Sequence, residues 1–293
     1  MHTSEFLKNQ PAFKQDKYCI ILLLGLIVLA LLSSTNLMAQ GNLMIFPRRV
    51  VFEGSKRSQT LNLANTGMDT AKYNISIVHY RMKENGAFEE IAQPDSGENF
   101  ADKYIRFFPR SVVLAPNDAQ AVKIQLTKTN QMSPGEYRSH IYFRAVPAEK
   151  PLGEKEVLKD TTSISIKLVP VFGITVPVII RVGESTARVS ISDVSLEMVN
   201  DTMPILKMAF IRTGNMSVYG DIAIDYISQQ GNVLRVSFIQ GLAVYTPIPV
   251  RQLKVDIDKS MGINYNRGKF HIVYTSQSDT KPEKLAEAEL LLH

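Results

Sequence analysis

Apolar and polar residues alternate with a period of two in one segment after another of this chain, while a helical period is nearly absent. Such alternation is typical of β-strands that turn one face toward a core. Turn residues separate the segments, as at Asn85-Gly86, where Asn-Gly predicts a type I′ hairpin. The clearest strand segments are residues 61–63, 73–77, 122–126, 141–145, 189–191, 206–210, 222–226, 253–257 and 270–272.

The predicted strands fall into two sets of about seven, a number that is typical of β-sandwiches. We therefore expect an all-β fold of two tandem immunoglobulin-like β-sandwich domains. The 293-residue chain has one cysteine and no tryptophan, so neither the inter-sheet disulfide nor the buried tryptophan of antibody domains is available. Aliphatic side chains, with Phe and Tyr as the large members, are expected to hold the sheets together.

The longest alternating segment covers residues 164–180, where every even position except Pro170 is apolar. The odd positions are polar from Ser163 to Lys167 and become apolar later. This pattern predicts a very long strand that is half-buried at first and buried on both faces toward its end. Pro170 and Pro177 each remove a hydrogen-bond donor from the strand, so they are expected to mark an edge, a bulge or a bend.

The N-terminus has the three parts of a secretory signal peptide. Residues 1–17 are polar and contain three lysines, residues 18–32 are apolar, and a polar patch then leads to Ala39. We expect cleavage after Ala39; an uncleaved anchor is the alternative, although a membrane span needs about 20 apolar residues. Cys19 lies inside the apolar core, so a lipoprotein site is not expected. The predicted organisation is a signal peptide over residues 1–39 and β-sandwich domains over residues 40–183 and 184–293.

Charge and motif content argue against nucleic-acid binding and catalysis. The net charge of +5 is mild, and basic and acidic residues are mixed along the chain. One cysteine excludes a multi-thiolate metal site, and five scattered histidines have no metal-ligand spacing. The sequence lacks a phosphate-binding glycine loop, a Gly-x-Ser-x-Gly elbow and a His-Glu-x-x-His motif. We expect no enzymatic activity, metal or cofactor, with a hydrolase based on scattered carboxylates as a minor alternative.

Two adjacent arginines, Arg48 and Arg49, precede an apolar strand segment and a Glu53-Gly54 turn. Arginine binds carboxylates through two parallel hydrogen bonds, so an anion site is one interpretation. An arginine pair on a solvated strand edge is the other, and this stretch alone does not choose between them.

Four stretches of the first predicted sandwich carry a resemblance to a known family. They are Arg49-Val-Val-Phe52-Glu-Gly-Ser55, residues 58–67 ending in Asn65-Thr-Gly67, residues 108–124 with Phe108-Pro109 and Leu114-Ala-Pro116, and residues 133–147 ending in Val146-Pro147. In this order they resemble the N-terminal domain of the periplasmic pilus-assembly chaperones of the PapD type. Tyr137-Arg138-Ser139 stands where that family usually has Arg-Glu-Ser, and residues 186–293 carry no family motif.

The resemblance implies a non-covalent function in the periplasm. Pilus subunits are immunoglobulin-like domains that lack their last strand, and these chaperones lend alternate apolar residues of a long strand to the open groove. In this sequence Ile164, Ile166 and Leu168 would be the donated residues, with packing in the chain's own core as the alternative. The implied partners are fimbrial or pilus subunits, with an outer-membrane usher as a possible further partner, and neither nucleic acid nor a small-molecule cofactor.

The family also anchors the terminal carboxylate of the subunit, with an arginine on the first strand and a lysine on the last. Arg49 matches the arginine, and Lys167 is the lysine within the predicted long strand. Counting back from Pro177 instead places Phe172 at the lysine position, so the match to Lys167 requires an insertion. A structural or adhesive envelope protein that uses its sandwiches as spacers or ligand binders is the alternative function.

Overall fold

The computed structural model describes residues 43–147, 171–200, 203–277 and 281–292, and nearly all regular structure in these ranges is β-strand. Three single-turn 3₁₀ helices, Asp102–Tyr104, Thr129–Gln131 and Lys259–Met261, interrupt the strands. No helix within the described ranges is long and apolar enough to cross a membrane. The predicted signal peptide, Cys19 with it, and the predicted donated strand positions lie outside these ranges.

Eleven of the described strands precede residue 183. They are β1 (Leu43–Phe46), β2 (Val50–Phe52), β3 (Ser58–Asn65), β4 (Ala71–Val78), β5 (Tyr80–Met82), β6 (Phe88–Glu90), β7 (Ile105–Phe108), β8 (Ser111–Leu114), β9 (Ala119–Leu126), β10 (Gly135–Val146) and β11 (Gly173–Val182). One sheet has the order β1-β3-β9-β7, a second has the order β2-β11-β10-β4-β8, and β5 and β6 form a separate hairpin. The strands pair antiparallel except β2 and β11, which are parallel.

The core of this first sandwich lies between its two sheets. Leu61 of β3 is paired with Val122 of β9, and both are fully buried, while the intervening residues of each strand face solvent. Ile141 and Phe143 of β10 close the core from the second sheet. The alternation that predicted these strands therefore separates the buried face from the solvated face.

Near the C-terminal end of β11, apolar residues occupy consecutive positions because both faces of the strand are covered. Val178 and Ile180 belong to the core of the first sandwich. Ile179 points to the opposite side and packs in a small apolar cluster with Met82, Ala243 and Tyr245. The predicted burial on both faces is confirmed for this part of the strand.

Seven strands follow and form a second sandwich. They are β12 (Arg188–Val199), β13 (Met203–Thr213), β14 (Val218–Ile227), β15 (Val233–Val244), β16 (Val250–Asp256), β17 (Lys269–Ser276) and β18 (Lys284–Leu291). The sheet β12-β13-β16 packs against the sheet β15-β14-β17-β18. Phe210, Phe270 and Tyr274 are the largest fully buried side chains of this core.

The predicted all-β class with two tandem immunoglobulin-like sandwiches is confirmed: two pairs of sheets each enclose their own apolar core. β11 ends at Val182 and β12 begins at Arg188. The exact bounds at residues 40–183 and 184–293 stay a prediction.

The predicted hairpin at Asn85-Gly86 exists, but the predicted type I′ turn is wrong. Only Gly86 has a positive φ there, 82°, whereas a type I′ turn needs positive φ at both central residues. The Asn85 side chain accepts a hydrogen bond from the Ala87 N–H at 3.0 Å, and the Gly86 N–H donates to the Lys83 carbonyl at 2.8 Å. The hydrogen bond from Gly86 to Lys83 makes Glu84 and Asn85 the central residues of the turn, and Gly86, the residue with positive φ, follows them.

Candidate functional site

A cavity of about 300 Å³ opens between the two sandwiches. From the first sandwich it is lined by the start of β2, by β10 and β11 and by the β5–β6 hairpin, and from the second by β14, β15 and β16. Three arginines, Arg48, Arg49 and Arg251, reach it. Among the described residues that line it, none is a carboxylate. The cavity therefore carries positive charge without a counter-ion of its own.

Arg49 is placed by the strand that follows it. Val50 pairs in parallel with Val178 of β11, so Arg49 lies at the cleft end of β2, beside Pro177. Its guanidinium carbon is 4.2 Å from the centre of the Tyr219 ring on β14, a cation–π distance. The arginine thus bridges the two sandwiches and does not lie on a solvated edge.

Two of the three side-chain nitrogens of Arg49, Nε and Nη2, are buried and have no hydrogen-bond partner within the described part of the chain. Burial lowers the pKa of this guanidinium; Tyr245 opposes that effect and the nearby Arg181 adds to it. A buried cation without a partner is unfavourable, because it has lost water and gained nothing in exchange. An anion with two oxygens would satisfy both nitrogens.

Two other arginines at the same interface, Arg138 and Arg181, have carboxylate partners. Arg138 Nη2 is 2.6 Å from the Glu98 carboxylate, and its Nη1 donates to the Thr246 carbonyl at 3.0 Å. Arg181 Nε donates to Glu136 at 3.3 Å, and the same carboxylate accepts the Ser217 backbone N–H at 3.0 Å. Arg138 also keeps one unpartnered nitrogen, Nε, but both of its terminal nitrogens have acceptors, whereas Arg49 has two buried nitrogens without one.

Two further polar groups in the cavity have unpartnered atoms, Arg251 Nε and His140 Nδ1. His140 is only 4% exposed, and its ring contacts those of Tyr80 and Phe88 edge-on, with centroids 5.2 and 5.9 Å away. Burial lowers the pKa of His140 to about 3, and Arg138 adds to the shift. The imidazole is therefore neutral at pH 7 and offers a hydrogen bond but no charge.

A second, larger groove adjoins the cavity. It lies between β1 and β11, measures about 530 Å³, and shares Arg48 with the cavity. β2 covers the outer edge of β11 only from Val178 to Ile180. Over the first half of β11, from Gly173 to Pro177, no strand in the described ranges pairs with that edge. Pro177 thus lies on a strand edge. An edge was one of the three features, with a bulge and a bend, that a proline in this strand predicted.

The open edge of β11 carries apolar side chains that face solvent. Ile174 is 39% exposed, and Phe172, just before the strand, is 58% exposed. An unpaired strand edge with exposed apolar residues is a template for pairing with another chain. The open edge ends at Pro177, beside Arg49.

Of the site residues predicted from the sequence, Arg49 lies in the cavity, whereas Lys167, Ile164, Ile166 and Leu168 lie outside the described residues. The described strand β11 contains no lysine, and the residues it contributes to the cavity are Thr175 and Pro177. Sequence reasoning missed Arg251 and His140 as cavity residues. No local pattern marks them, because they meet only where the two sandwiches pack.

Comparison with known proteins places pilus chaperones among the similar solved structures. No protein-family model matches the chain, and no curated protein matches it. It is similar to the Pseudomonas aeruginosa CupB2 chaperone, with 13% identity and a TM-score of 0.41 over 85% of this chain and 100% of that chain. A chain of the CsuC–CsuE chaperone–tip adhesion subunit complex of Acinetobacter baumannii has 12% identity and a TM-score of 0.42, over 84% and 97%. A chain of the Salmonella enterica SafA pilin–SafB chaperone complex has 12% identity and a TM-score of 0.40, over 88% and 99%. With identities this low, function has to be inferred from the residues and their contacts.

Proposed function

We propose that this protein is a periplasmic chaperone that binds and caps fimbrial subunits by lending them a strand, with Arg49 anchoring the terminal carboxylate of the subunit. The observation that carries the proposal is the pair of buried, unpartnered nitrogens of Arg49, Nε and Nη2, at the end of an open strand edge. Strand pairing along β11 supplies sequence-independent affinity, and the arginine fixes where the partner strand stops.

The direction of the partner strand follows from these positions. β11 runs from Gly173 toward Val182, and Arg49 lies beside Pro177, where β2 begins to cover the edge. A strand on the open edge that ends at Arg49 must therefore run parallel to β11. Its last residue meets the start of β2, which blocks further pairing.

The donated side chains are proposed to be Ile164, Ile166 and Leu168. Support comes from the parity of β11: Phe172 and Ile174, at even positions, are exposed, while Val176, Val178 and Ile180 turn into the chaperone's own core. Even positions earlier in the chain then belong to the face that is offered to a partner. Alternate apolar residues are what an open groove in a subunit would take up.

The test is co-expression with the fimbrial subunits of the protein's own organism, followed by recovery of the complex from the periplasm. We expect a subunit to co-purify with the wild type and to be recovered at least tenfold less with Arg49→Ala, the loss expected for a charge-assisted hydrogen bond. Arg106→Ala is the control, because Arg106 is an exposed arginine of the same sandwich that does not line the cavity.

Replacement of Ile164, Ile166 and Leu168 by serine tests the donated strand separately. We expect this variant to lose the subunit while the free protein keeps its thermal stability. Recovery of no subunit by the wild type, or full capture by both variants, would contradict the chaperone proposal. Stable behaviour alone, without protection of any subunit, would indicate a structural or adhesive envelope protein.

A further inference from the structure

We infer that Arg251, on the second sandwich, is the second cation of the carboxylate anchor, so that the end of the partner chain is held between the two sandwiches. The inference rests on the proposed role of Arg49. It assigns the C-terminal sandwich a direct part in binding, for a ligand of defined chemistry: a free chain-terminal carboxylate.

The cavity is positively charged. Arg48 is exposed, so water screens it, but Arg49 and Arg251 both hold buried nitrogens without hydrogen-bond partners. Two such cations in one cavity, with no carboxylate among its described lining, repel each other until an anion enters. A bound carboxylate would remove this repulsion and satisfy orphan donors from both sides.

The side chain of Arg251 is held in position by contacts with both sandwiches. Its Nη1 donates to the Ala243 carbonyl on the neighbouring β15. A Cβ atom placed on Gly86 of the first sandwich would lie 2.8 Å from its Nη2 and 3.0 Å from its Nε, so the hairpin backbone packs directly against the guanidinium. The next residue, Gln252, donates its backbone N–H to the Glu84 carbonyl at 2.6 Å. The side chain is thus held from two directions, while Nε stays unpaired.

Arg251 has no carboxylate partner among the described residues that line the cavity. Burial lowers the pKa of the Arg251 guanidinium, and only the hydroxyls of Tyr274 and Tyr245 act against it. By contrast, the buried Arg138 has the Glu98 carboxylate at 2.6 Å. Buried cations in proteins are normally paired, so an unpaired one in a cavity points to a ligand.

The described residues of β11 that line the cavity carry no charge. The described part of β11 contributes Thr175 and Pro177 to the cavity and contains no lysine. Lys167 lies outside the described residues, and among those that line the cavity the second cation with a buried, unpartnered nitrogen is Arg251, which reaches it from the second sandwich.

The experiment is an NMR titration of the full mature chain with arginine side chains labelled with ¹⁵N. The probes are N-acetylated tetra-alanine with a free terminal carboxylate and the same peptide with a terminal amide. We expect the acid to shift the Nε–H signals of Arg49 and Arg251, assigned with Arg49→Lys and Arg251→Lys, and the amide to shift neither. Arg251→Gln should weaken acid binding about tenfold or more, while Arg106→Gln, at an exposed arginine that does not line the cavity, leaves it unchanged.

The outcomes separate this inference from the proposed function. Acid binding unchanged in Arg251→Gln but lost in Arg49→Ala would overturn the role of Arg251 and leave the chaperone proposal standing. Unchanged binding of both the peptide acid and a subunit by Arg49→Ala would overturn the proposed anchor itself. If Arg251→Gln does not fold, the wild-type titration decides, since an acid that leaves the Arg251 Nε–H signal unmoved contradicts the inference.

Discussion

The guanidinium carbon of Arg49 lies 4.2 Å from the ring centre of Tyr219, which joins the first strand region of one sandwich to the central strand of the other. The aromatic face stabilises the cation by about 0.5–2 kcal/mol, but it offers no hydrogen-bond acceptor to Nε and Nη2, which remain unpaired. The arginine is therefore kept in position yet free to bind an anion, and this combination determines what its replacement should do.

Arg49→Met is expected to raise the free energy of unfolding of the free protein by about 1 kcal/mol, because it removes an unpaired buried charge and keeps an apolar stem in the cleft. The same variant should fail to retain a fimbrial subunit. Urea unfolding and subunit capture measure the two effects on one protein sample. A variant that is clearly less stable than the wild type would show that Arg49 is a structural residue.

Arg138→Met should behave in the opposite way. Arg138 and Glu98 are 2.6 Å apart with both side chains buried, so removing the arginine leaves an uncompensated carboxylate. The expected loss is about 3–5 kcal/mol in the free energy of unfolding. The double variant Arg138→Met, Glu98→Met should recover most of that loss in urea unfolding. No recovery would mean that the ion pair is not the reason for the loss.

His140 predicts a pH dependence of stability. Its pKa is lowered to about 3 by burial, with Arg138 and His79 as the charged or titratable neighbours and Tyr80 and Phe88 as the rings around it. The unfolded chain binds a proton below about pH 6.5 and the folded chain does not, so stability is lost as the pH falls from 6.5 toward 3. The slope for this one proton approaches about 1.4 kcal/mol per pH unit.

Replacement of His140 by glutamine should flatten the stability curve between pH 6 and about pH 4. Urea unfolding at several pH values measures it, and NMR of the imidazole reports the ring's own titration. A ring that titrates near its ordinary pKa would contradict the prediction.

Gly86→Ala and Gly54→Ala form a matched pair. Both glycines have positive φ, 82° and 62°, so each alanine should destabilise the fold by about 1 kcal/mol through backbone strain. Only at Gly86 does the new Cβ meet Arg251, since nothing lies within 4 Å of the corresponding position at Gly54. Binding of the acid-terminated peptide should therefore weaken in Gly86→Ala and stay unchanged in Gly54→Ala. Equal affinities in the two variants would separate Arg251 from the anchor.

The strands of both cores could be predicted because their cause is local. Leu61 and Leu63 alternate with polar residues on β3, and Val122 and Ile124 do so on β9, since one face of each strand meets a core and the other meets water. The turn type does not follow from the dipeptide, as Asn85 shows: the Gly86 N–H donates to the Lys83 carbonyl, so Asn85 and Gly86 are not the central pair that a type I′ turn requires. Even so, the hairpin itself was predicted correctly.

The amino-acid sequence alone determined the all-β class, the two sandwiches and the choice of Arg49 as a candidate anion-binding residue. The reason is that alternating apolar residues and the arginine pair are local features of the sequence. Only the tertiary structure decided what surrounds Arg49. Arg251 and His140 are more than 90 residues from it in the chain, and they reach the same cavity because two sandwiches pack against the β5–β6 hairpin. The burial of Arg49 and Arg251 and the absence of a carboxylate from the described cavity lining result from this packing, so no single stretch of sequence reveals them.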